Sequence, residues 1–175
     1  MILYIALSLD GFIADARGGV DWLGGEQPEQ EGDNGYGAFI KDVDTIVIGR
    51  KTYDQIATEL FPDSWYYQGK LSYILTHHPE EDTDEIKFTN EPAVDLVERL
   101  RKQEGKNIWI CGGAQVVNDL MRADRIDEYH LTWIPIMPGS GVRLFDGHSG
   151  AVPLHLVDCT NENGMVDCTY VRRQQ

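Results

Sequence analysis

Two segments of this chain join an apolar strand pattern to a glycine turn and then to a helical pattern. In TIVIGRKTYD, residues 45 to 54, mostly β-branched residues run into a glycine and two cations. In NIWICGGAQVV, residues 107 to 117, a second apolar run ends in two glycines. Short apolar runs that lead directly into helices are typical of buried parallel strands covered by helices. The two segments therefore predict an α/β fold.

The other segments extend this alternation of strands and helices. ILYIALSL, LSYILT and EIKF are predicted strands, and a helix is predicted from Lys51 to about Leu60. NEPAVDLVERLRKQEGK is a predicted helix with Asn90 as its N-cap and Gly105 as its stop. The last third contains three long strand patterns, RIDEYHLTWIPIM, VPLHLVDCTNE and GMVDCTYVRRQ, with a turn at NENG. We expect a three-layer α/β domain with a mixed, mostly parallel central sheet and antiparallel C-terminal strands.

Length and charge narrow the classes of protein. A chain of 175 residues suits one domain, residues 1–175. The formal net charge of -14 disfavours a nucleic-acid partner, because duplex binding depends on Lys and Arg. No apolar run approaches the roughly 20 residues that span a bilayer, so we expect no membrane partner. The start, MILYIALSLDGFIAD, lacks the basic region and cleavage site of a signal peptide, so the cytoplasm is the expected location.

The cysteines and histidines do not predict a disulfide framework or a metal site. Cys111, Cys159 and Cys168 are odd in number and lack CxxC spacing, so free thiols are expected. Antiparallel strands could still bring Cys159 and Cys168 together. His77 and His78 are neighbours, and in an extended chain neighbouring side chains point to opposite faces, so no metal is expected.

Turns at strand ends are the candidate binding site. In an open α/β sheet the carboxyl ends of parallel strands share one edge, where ligands bind. Gly49 permits a tight turn before Arg50, Lys51 and Thr52, which supply N–H groups, a hydroxyl and two cations. The two glycines of ICGGAQVV leave backbone open to close approach by a phosphate. LTHHP places a hydroxyl and imidazoles at a third strand end.

Five segments spread over the chain, in this order, resemble the dihydrofolate reductase superfamily. They are IALSLDGFIAD, TIVIGRKTYD, SYILTHHP, NIWICGGAQVVNDLM and IDEYHLTWIPIMPGSGVRLF. The resemblance is closest to the branch that contains the reductase domain of bacterial riboflavin biosynthesis and its stand-alone relatives. It implies a three-layer dihydrofolate reductase-like fold with an eight-stranded mixed sheet, NADPH as the hydride donor, and often a homodimer.

The resemblance also assigns a cofactor site. Ala6 and Ile13 match positions that line the nicotinamide pocket in the family, and Ala6 does so through its backbone. The turn at 49–52 matches the one that holds the pyrophosphate and the 2′-phosphate side, and residues 75–77 match the adenosine end. The glycines at 112–113 match a pair joined by a cis peptide bond, ahead of a helix N-terminus over the phosphates. The matched residues are Ala6, Ile13, Gly49, Arg50, Lys51, Thr52, Leu75, Thr76, His77, Gly112, Gly113, Ala114, Gln115 and Val116.

The substrate side is less well defined by the sequence. Dihydrofolate reductases carry a carboxylate early in the first helix, and counting back from Gly49 places Asp33 there as the candidate catalytic acid. Aligning Phe39 on the family's helix aromatic places Gly35 there instead. Phe39 and Trp22 are candidate substrate-binding residues, although Trp22 could equally anchor a loop. The sequence contains few cations that could bind a substrate phosphate. Arg143 is one candidate, and it could lie near the pocket mouth or serve a surface role.

The predicted function is that of an NADPH-dependent oxidoreductase. It transfers a hydride to a C=N or C=O of a small heterocyclic or sugar-linked substrate, and the resemblance points to 5-amino-6-(5-phosphoribosylamino)uracil reductase. Reduction of dihydrofolate or another pterin remains an alternative. A second alternative is a non-catalytic NADP-binding homologue, and a third is a plain structural domain whose glycine turns bind nothing.

Overall fold

A computed structural model describes residues 1–27, 29, 35–147 and 150–173. Ten strands and four α-helices are present in these ranges, with a 3-10 helix at Asp21–Gly24 and a π-helical turn at Ile56–Leu60. The helices are α1 (Tyr36–Lys41), α2 (Arg50–Gln55), α3 (Ala93–Leu100) and α4 (Ala114–Arg122). The strands are β1 (Ile2–Ser8), β2 (Phe12–Asp15), β3 (Val43–Gly49), β4 (Leu71–Leu75), β5 (Ile86–Thr89), β6 (Asn107–Gly112), β7 (Glu128–Ile134), β8 (Gly141–Arg143), β9 (Leu154–Glu162) and β10 (Met165–Arg172).

The main sheet has eight strands in the order β5-β4-β3-β6-β1-β7-β10-β9. The first six in this order run parallel, and β10 pairs antiparallel with both β7 and β9. The predicted mixed sheet with antiparallel C-terminal strands is therefore confirmed. The strand β7 lies inside the sheet between β1 and β10.

Each face of the sheet carries its own apolar core, because side chains alternate between faces along a strand. One core joins α3 and α4 to residues such as Leu3, Val47 and Ile110, all fully buried. The other core contains Ile48 and Trp109 and is covered by aromatic residues of α1 and of the segment that follows the π turn. The arrangement has the three predicted layers.

The helix predicted from Lys51 to about Leu60 consists of α2 and the π turn that continues it. The N–H of Phe61 donates to the carbonyl of Ile56, a five-residue step that ends the helical segment. Within the described residues no helix is long and apolar enough to cross a membrane.

The predicted boundaries of α3 were wrong at both ends. Pro92 rather than Asn90 is the N-cap, and its carbonyl accepts from the N–H of Leu96. A proline suits this place because it has no N–H that would need a partner. The helix ends at Leu100, five positions before Gly105, where the chain passes into tight turns.

The turn between β1 and β2 is locked to the segment that carries β8. The hydroxyl of Ser8 donates to Asp10 Oδ1 at 2.6 Å, and the N–H of Gly139 donates to Asp10 Oδ2 at 2.9 Å. These bonds lower the pKa of the Asp10 carboxyl, with the Ser8 hydroxyl as the larger cause. Arg143 donates to the Asp10 carbonyl at 3.1 Å and lies over the Phe12 ring, 4.5 Å from its centroid. Arg143 is thus engaged in holding the small β2–β8 sheet, which the sequence did not predict.

The C-terminal hairpin confirms the turn predicted at NENG. Asn163 and Gly164 have φ values of 50° and 72°, the left-handed pair that a two-residue hairpin turn of type I′ requires. Cys159 and Cys168 face each other across β9 and β10, with their Sγ atoms 3.0 Å apart and both thiols free. The strand register therefore brings together the two cysteines whose pairing the sequence left open.

Mild oxidation should join Cys159 to Cys168, because directly opposite residues on antiparallel strands have Cα separations of about 4.5 to 5.5 Å, within the range of a disulfide. Mass spectrometry after diamide treatment should show the loss of two hydrogens and one cross-linked peptide that contains both cysteines. Cys159→Ser should abolish the cross-link, whereas Cys111→Ser should leave it intact. A cross-link that involves Cys111 instead would contradict the β9–β10 register.

Candidate functional site

The carboxyl ends of β4, β3 and β6 lie side by side at one edge of the sheet. Gly49 at the end of β3 faces Leu75 at the end of β4, and Ile48 faces Gly112 at the end of β6. The structure thus brings together the three turns that the sequence singled out. Each of them leads away from the same edge, as the parallel arrangement predicts.

The glycines let two of these turns come into contact. A Cβ built on Gly49 would lie 3.3 Å from the backbone nitrogen of Gly113, and a Cβ on Gly113 would lie 3.1 Å from Thr52 Oγ1. The peptide bond between Gly112 and Gly113 is cis, as the resemblance implied, and Gly112 has a φ of 128° that favours glycine. Side chains at these positions would separate the β3 and β6 turns, so the glycines form a cradle of backbone without side chains beside the Thr52 hydroxyl.

The first turn of α4 follows directly from this cradle. Gly113 is its N-cap in extended conformation, and among the described residues no side chain caps the N–H groups of the first turn, residues 114–116. Uncapped N–H groups at a helix N-terminus favour an anion. Val116 packs toward Gly49, since its Cγ2 would lie 3.3 Å from a Cβ there, while Gln115 is exposed.

Arg50 is held by two carboxylates at the start of α2. Its Nε donates to Asp54 Oδ1 at 2.7 Å, and its Nη2 donates to Glu80 Oε1 at 2.6 Å. The hydrogen bond to Glu80, followed by the one to Asp54, raises the pKa of the guanidinium. The sequence did not reveal that two carboxylates already pair with Arg50. An anion that binds to Arg50 must displace them or bind beside them. Lys51 is exposed, and within the described part of the chain it makes no ion pair.

The β4 turn is tied to Arg50 through His78. The guanidinium Nη1 of Arg50 donates to the His78 carbonyl at 3.4 Å, and the His78 N–H donates to Thr76 Oγ1 at 3.1 Å. Thr76 is buried and its hydroxyl serves this local turn, so it is not directed outward as a phosphate donor. Leu75 packs against the apolar core, and both His77 and His78 are exposed.

The segment after β2 reaches the same edge. The Asp15 carboxylate accepts from the N–H groups of Arg17 and Gly19 at 2.7 and 2.9 Å, and these backbone bonds lower its pKa. The resulting turn meets α2, where Gln55 Nε2 donates to the Gly18 carbonyl at 2.8 Å. Ile13 on β2 packs against the α3–α4 core, while Ala6 lies half-buried on β1 opposite Thr132 of β7.

The predicted substrate residues have different surroundings. Asp33 lies outside the described residues. Trp22 lies in the 3-10 helix, half-buried, and its buried Nε1 has no hydrogen-bond partner within the described part of the chain. The ring of Phe39 stacks on Tyr4 with centroids 4.4 Å apart and meets Trp109 edge-on at 5.5 Å. Phe39 is therefore part of an aromatic cluster on the sheet face below α1.

Beside that cluster lies a groove of about 760 Å³ between α1 and the sheet. We call it the α1 groove. Its walls contain Tyr4, Phe39, His130 and Asp167 together with Gly35, the alternative position for the predicted acid. Asp167 accepts a hydrogen bond from Thr132 Oγ1 at 2.8 Å, and burial raises its pKa despite that bond. Sequence reasoning missed Asp167, because only the β7–β10 pairing places it here.

Cys111, next to the glycine cradle, is not a nucleophile. Burial raises the pKa of its thiol to about 11, so the thiol is protonated at neutral pH. Its sulfur lies 3.5 Å from the Tyr67 hydroxyl, and burial raises the pKa of that phenol too. These groups pack in the core under the cradle.

Comparisons with known proteins match this chain over most of its length. Residues 1–164 match the model of the RibD C-terminal domain family. The Bacillus subtilis protein YwjB is 44% identical over 98% of this chain and 97% of its own length. A crystal structure from Shewanella sp. PV-4, provisionally assigned to riboflavin biosynthesis, has a TM-score of 0.87 at 30% identity and covers 99% of this chain and 98% of its own. The Thermotoga maritima diaminohydroxyphosphoribosylaminopyrimidine deaminase/5-amino-6-(5-phosphoribosylamino)uracil reductase shares the fold, with a TM-score of 0.71 at 15% identity over 98% of this chain and 56% of its own.

Proposed function

Because the chain belongs to the RibD C-terminal domain family, we propose that it is an NADPH-dependent reductase of the riboflavin-pathway type. It transfers a hydride to a C=N or C=O carbon of a small heterocyclic substrate. The observation that supports this most strongly is the meeting of three strand-end turns around one glycine cradle, with Arg50 beside it.

The residues at this edge fit a dinucleotide that carries an extra phosphate. The two turns pack closely at Gly49 and Gly113, since a Cβ on Gly49 would lie 3.3 Å from the Gly113 nitrogen and a Cβ on Gly113 would lie 3.1 Å from Thr52 Oγ1. Backbone without side chains suits close approach by a pyrophosphate. Thr52 supplies a hydroxyl and the first turn of α4 supplies uncapped N–H groups. Arg50 stands beside the cradle as a cation for the 2′-phosphate.

The chain's own residues would bind, orient and shield the reactants. When bound, NADPH supplies the hydride. Ala6 on β1 and Ile13 on β2 would form the wall against which the nicotinamide lies. The turn built on Asp15, which is attached to α2 through Gln55, would cover the edge and exclude water.

Reduction of a pterin is the second candidate, and the α1 groove supports it. The groove is lined by aromatic rings and by five acidic residues, and its described lining contains no Lys or Arg; these groups suit a flat, unphosphorylated heterocycle. The acidic residues are Asp42, Glu128, Asp158, Glu162 and Asp167. A phosphoribosyl substrate would need cations that the described lining of the groove does not contain. An NADP-binding homologue without turnover remains the alternative if no substrate is reduced.

We also propose a homodimer. Strand β9 is the edge of the main sheet, and Leu156 and Val157 on it are 48% and 56% exposed. A long edge strand with exposed apolar side chains is suited to pairing with a second chain.

The direct test of function is turnover by the purified protein. NADPH oxidation should be followed by its loss of absorbance, with 5-amino-6-(5-phosphoribosylamino)uracil, its dephosphorylated form and dihydropterin as substrates. In a separate experiment, the Tm of the protein should be measured at increasing NADPH concentrations. We expect reduction of at least one of these substrates. NADPH at 100 times its Kd should also raise Tm by about 5 to 10 °C. Stabilisation without turnover would leave a cofactor-binding protein only, and no stabilisation would reject the proposal.

Charge at Arg50 should control the preference for NADPH over NADH. Arg50→Gln is expected to weaken NADPH binding about tenfold and NADH binding much less, because one charge-assisted phosphate contact is lost. Glu80→Gln is expected to strengthen NADPH binding by up to about fivefold, because it removes a competing carboxylate. Both affinities can be measured by isothermal titration calorimetry.

Arg99→Gln is the matched control for this pair of variants. Arg99 also binds a carboxylate, Glu91, at 2.8 Å and lies 5.6 Å from an aromatic centroid, that of Tyr73, but it lies on α3. Its loss should change neither affinity. Equal weakening of NADPH and NADH by Arg50→Gln would contradict the 2′-phosphate role.

A further inference from the structure

The cysteines of the C-terminal hairpin form a pair with one accessible member. Cys159 on β9 and Cys168 on β10 are register partners, their Sγ atoms lie 3.0 Å apart and both thiols are free. Cys159 is exposed, whereas Cys168 is only 6% exposed. A reagent from solution therefore reaches Cys159 first, and the Cys168 sulfur already lies beside the atom that would be modified.

The surroundings of the pair are not those of a redox catalyst. The hydrogen bond with Cys168 raises the pKa of the Cys159 thiol, and the nearby carboxylates of Asp158 and Asp167 raise it further. Catalytic thiols have lowered pKa values, because the thiolate is the nucleophile. Cys159 therefore reacts slowly at neutral pH, which suits a reversible modification better than turnover.

The pair lies directly behind one wall of the α1 groove. The register pairs on either side of it are Asp158 with Thr169 and Thr160 with Asp167. All four of these residues line the α1 groove. Because side chains alternate between the two faces of a strand, the cysteines project from the opposite face. A bond between the cysteines would thus join β9 to β10 at the position where the two strands form the groove wall.

Strand β9 is held in this wall mainly by its backbone. It is an edge strand that pairs with β10, and within the described chain no other strand pairs with it. All its residues after Leu154 are exposed, so few side-chain contacts add to its hydrogen bonds. Segments of this kind open more readily than central strands. The groove wall at Asp158 and Thr160 is therefore only as firm as the β9–β10 pairing.

We propose that Cys159 and Cys168 form a thiol modification site that locks this wall of the α1 groove when a low-molecular-weight disulfide oxidises it. The Cys159 thiolate, formed by loss of its proton, attacks one sulfur of the reagent, so that a mixed disulfide forms and one reagent thiolate leaves. The Cys168 thiolate then attacks Cys159 Sγ, so that the cross-strand disulfide forms and the second reagent thiolate leaves. Two electrons and two protons pass from the cysteine pair to the reagent, which ends as two thiols.

The site is separate from the glycine cradle and does not depend on reductase activity. Strands β1, β7 and β10 lie between β9 and β6, whose carboxyl end forms part of the cradle. Pairing of β9 with a second chain, as in the proposed homodimer, would use the backbone edge of the strand, whereas Cys159 projects from its face.

The chemical test uses 2-hydroxyethyl disulfide, an uncharged reagent that the net charge of -14 does not repel. Mass spectrometry should show that the wild type loses two hydrogens without lasting addition of the reagent, and that dithiothreitol reverses the change. Cys168→Ala should instead keep one reagent group on Cys159, because the resolving thiol is absent. Cys159→Ser should show neither product, and Cys111→Ser should react like the wild type. Unchanged Tm values of the reduced proteins would show that each variant is folded.

Hydrogen–deuterium exchange tests the effect on the groove wall. Exchange in β9 should be about fivefold or more slower in the oxidised wild type than in the reduced protein, because the cross-link restricts opening of the hairpin. Strand β5 is the matched control, since it is the other edge strand of the main sheet, and its exchange should not change. Cys159→Ser should exchange alike with and without the reagent.

Other outcomes reject the assignment. A lasting mixed disulfide on Cys159 of the wild type would show that Cys168 does not resolve it. Reaction at Cys111 before Cys159, or no reaction at Cys159, would show that the hairpin pair is not the modified site. Unchanged exchange of β9 in fully cross-linked protein would show that the bond does not lock the groove wall.

Discussion

The close contact between Gly49 and the Gly112–Gly113 pair is the constraint on which the candidate site depends. Parallel pairing of β3 with β6 brings the two turns together, and the lack of side chains lets their backbones approach. Thr52 then lies against Gly113, and α4 begins immediately beyond it. A cradle of N–H groups and one hydroxyl results from strand register alone, before any charged side chain contributes.

The protein is strongly acidic, and positive charge at the candidate site acts only locally. With a net charge of -14, the long-range field repels an anionic ligand, so attraction must come from groups within a few ångströms of it. Arg50 is the main such group, and in the free protein Asp54 and Glu80 neutralise it. The two regions therefore differ: the cradle edge has backbone without side chains and a shielded cation, whereas the described lining of the α1 groove has aromatic rings and acidic residues.

Much of the fold followed from local patterns. Apolar runs, helical spacing and the Asn163-Gly164 turn predicted the strand and helix order, and the rule that parallel strands end at one edge predicted the meeting of the turns at Gly49, Leu75 and Gly112. The cis bond came from family resemblance rather than from the residues themselves. The predictions that failed concerned non-local contacts or depended on which of several neighbouring residues takes a given role. Pro92 displaced Asn90 as the helix cap, because a proline carbonyl can accept the first helical bond without leaving an unpaired N–H.

The substrate side was predicted least well for the same reason. Asp167 lies in a strand whose own pattern gives no indication of a site, and it becomes meaningful only when β10 pairs with β7 and places it beside Thr132. The pairing register between distant strands cannot be predicted from one segment of sequence, whereas a glycine turn can be predicted from a single segment.

Hydrogen–deuterium exchange with and without NADP+ tests the central claim most directly, because it reports the backbone N–H groups that form the cradle. The account predicts that protection rises in the segments that contain Gly49–Thr52 and Gly113–Val116, with a smaller change at the His77 turn. It predicts no change at the carboxyl end of α3, because Leu100 and Arg101 lie beside Met1 and Asn107 at the amino ends of β1 and β6, away from the cradle. Protection elsewhere, with these turns exchanging at the same rate in both states, would contradict it.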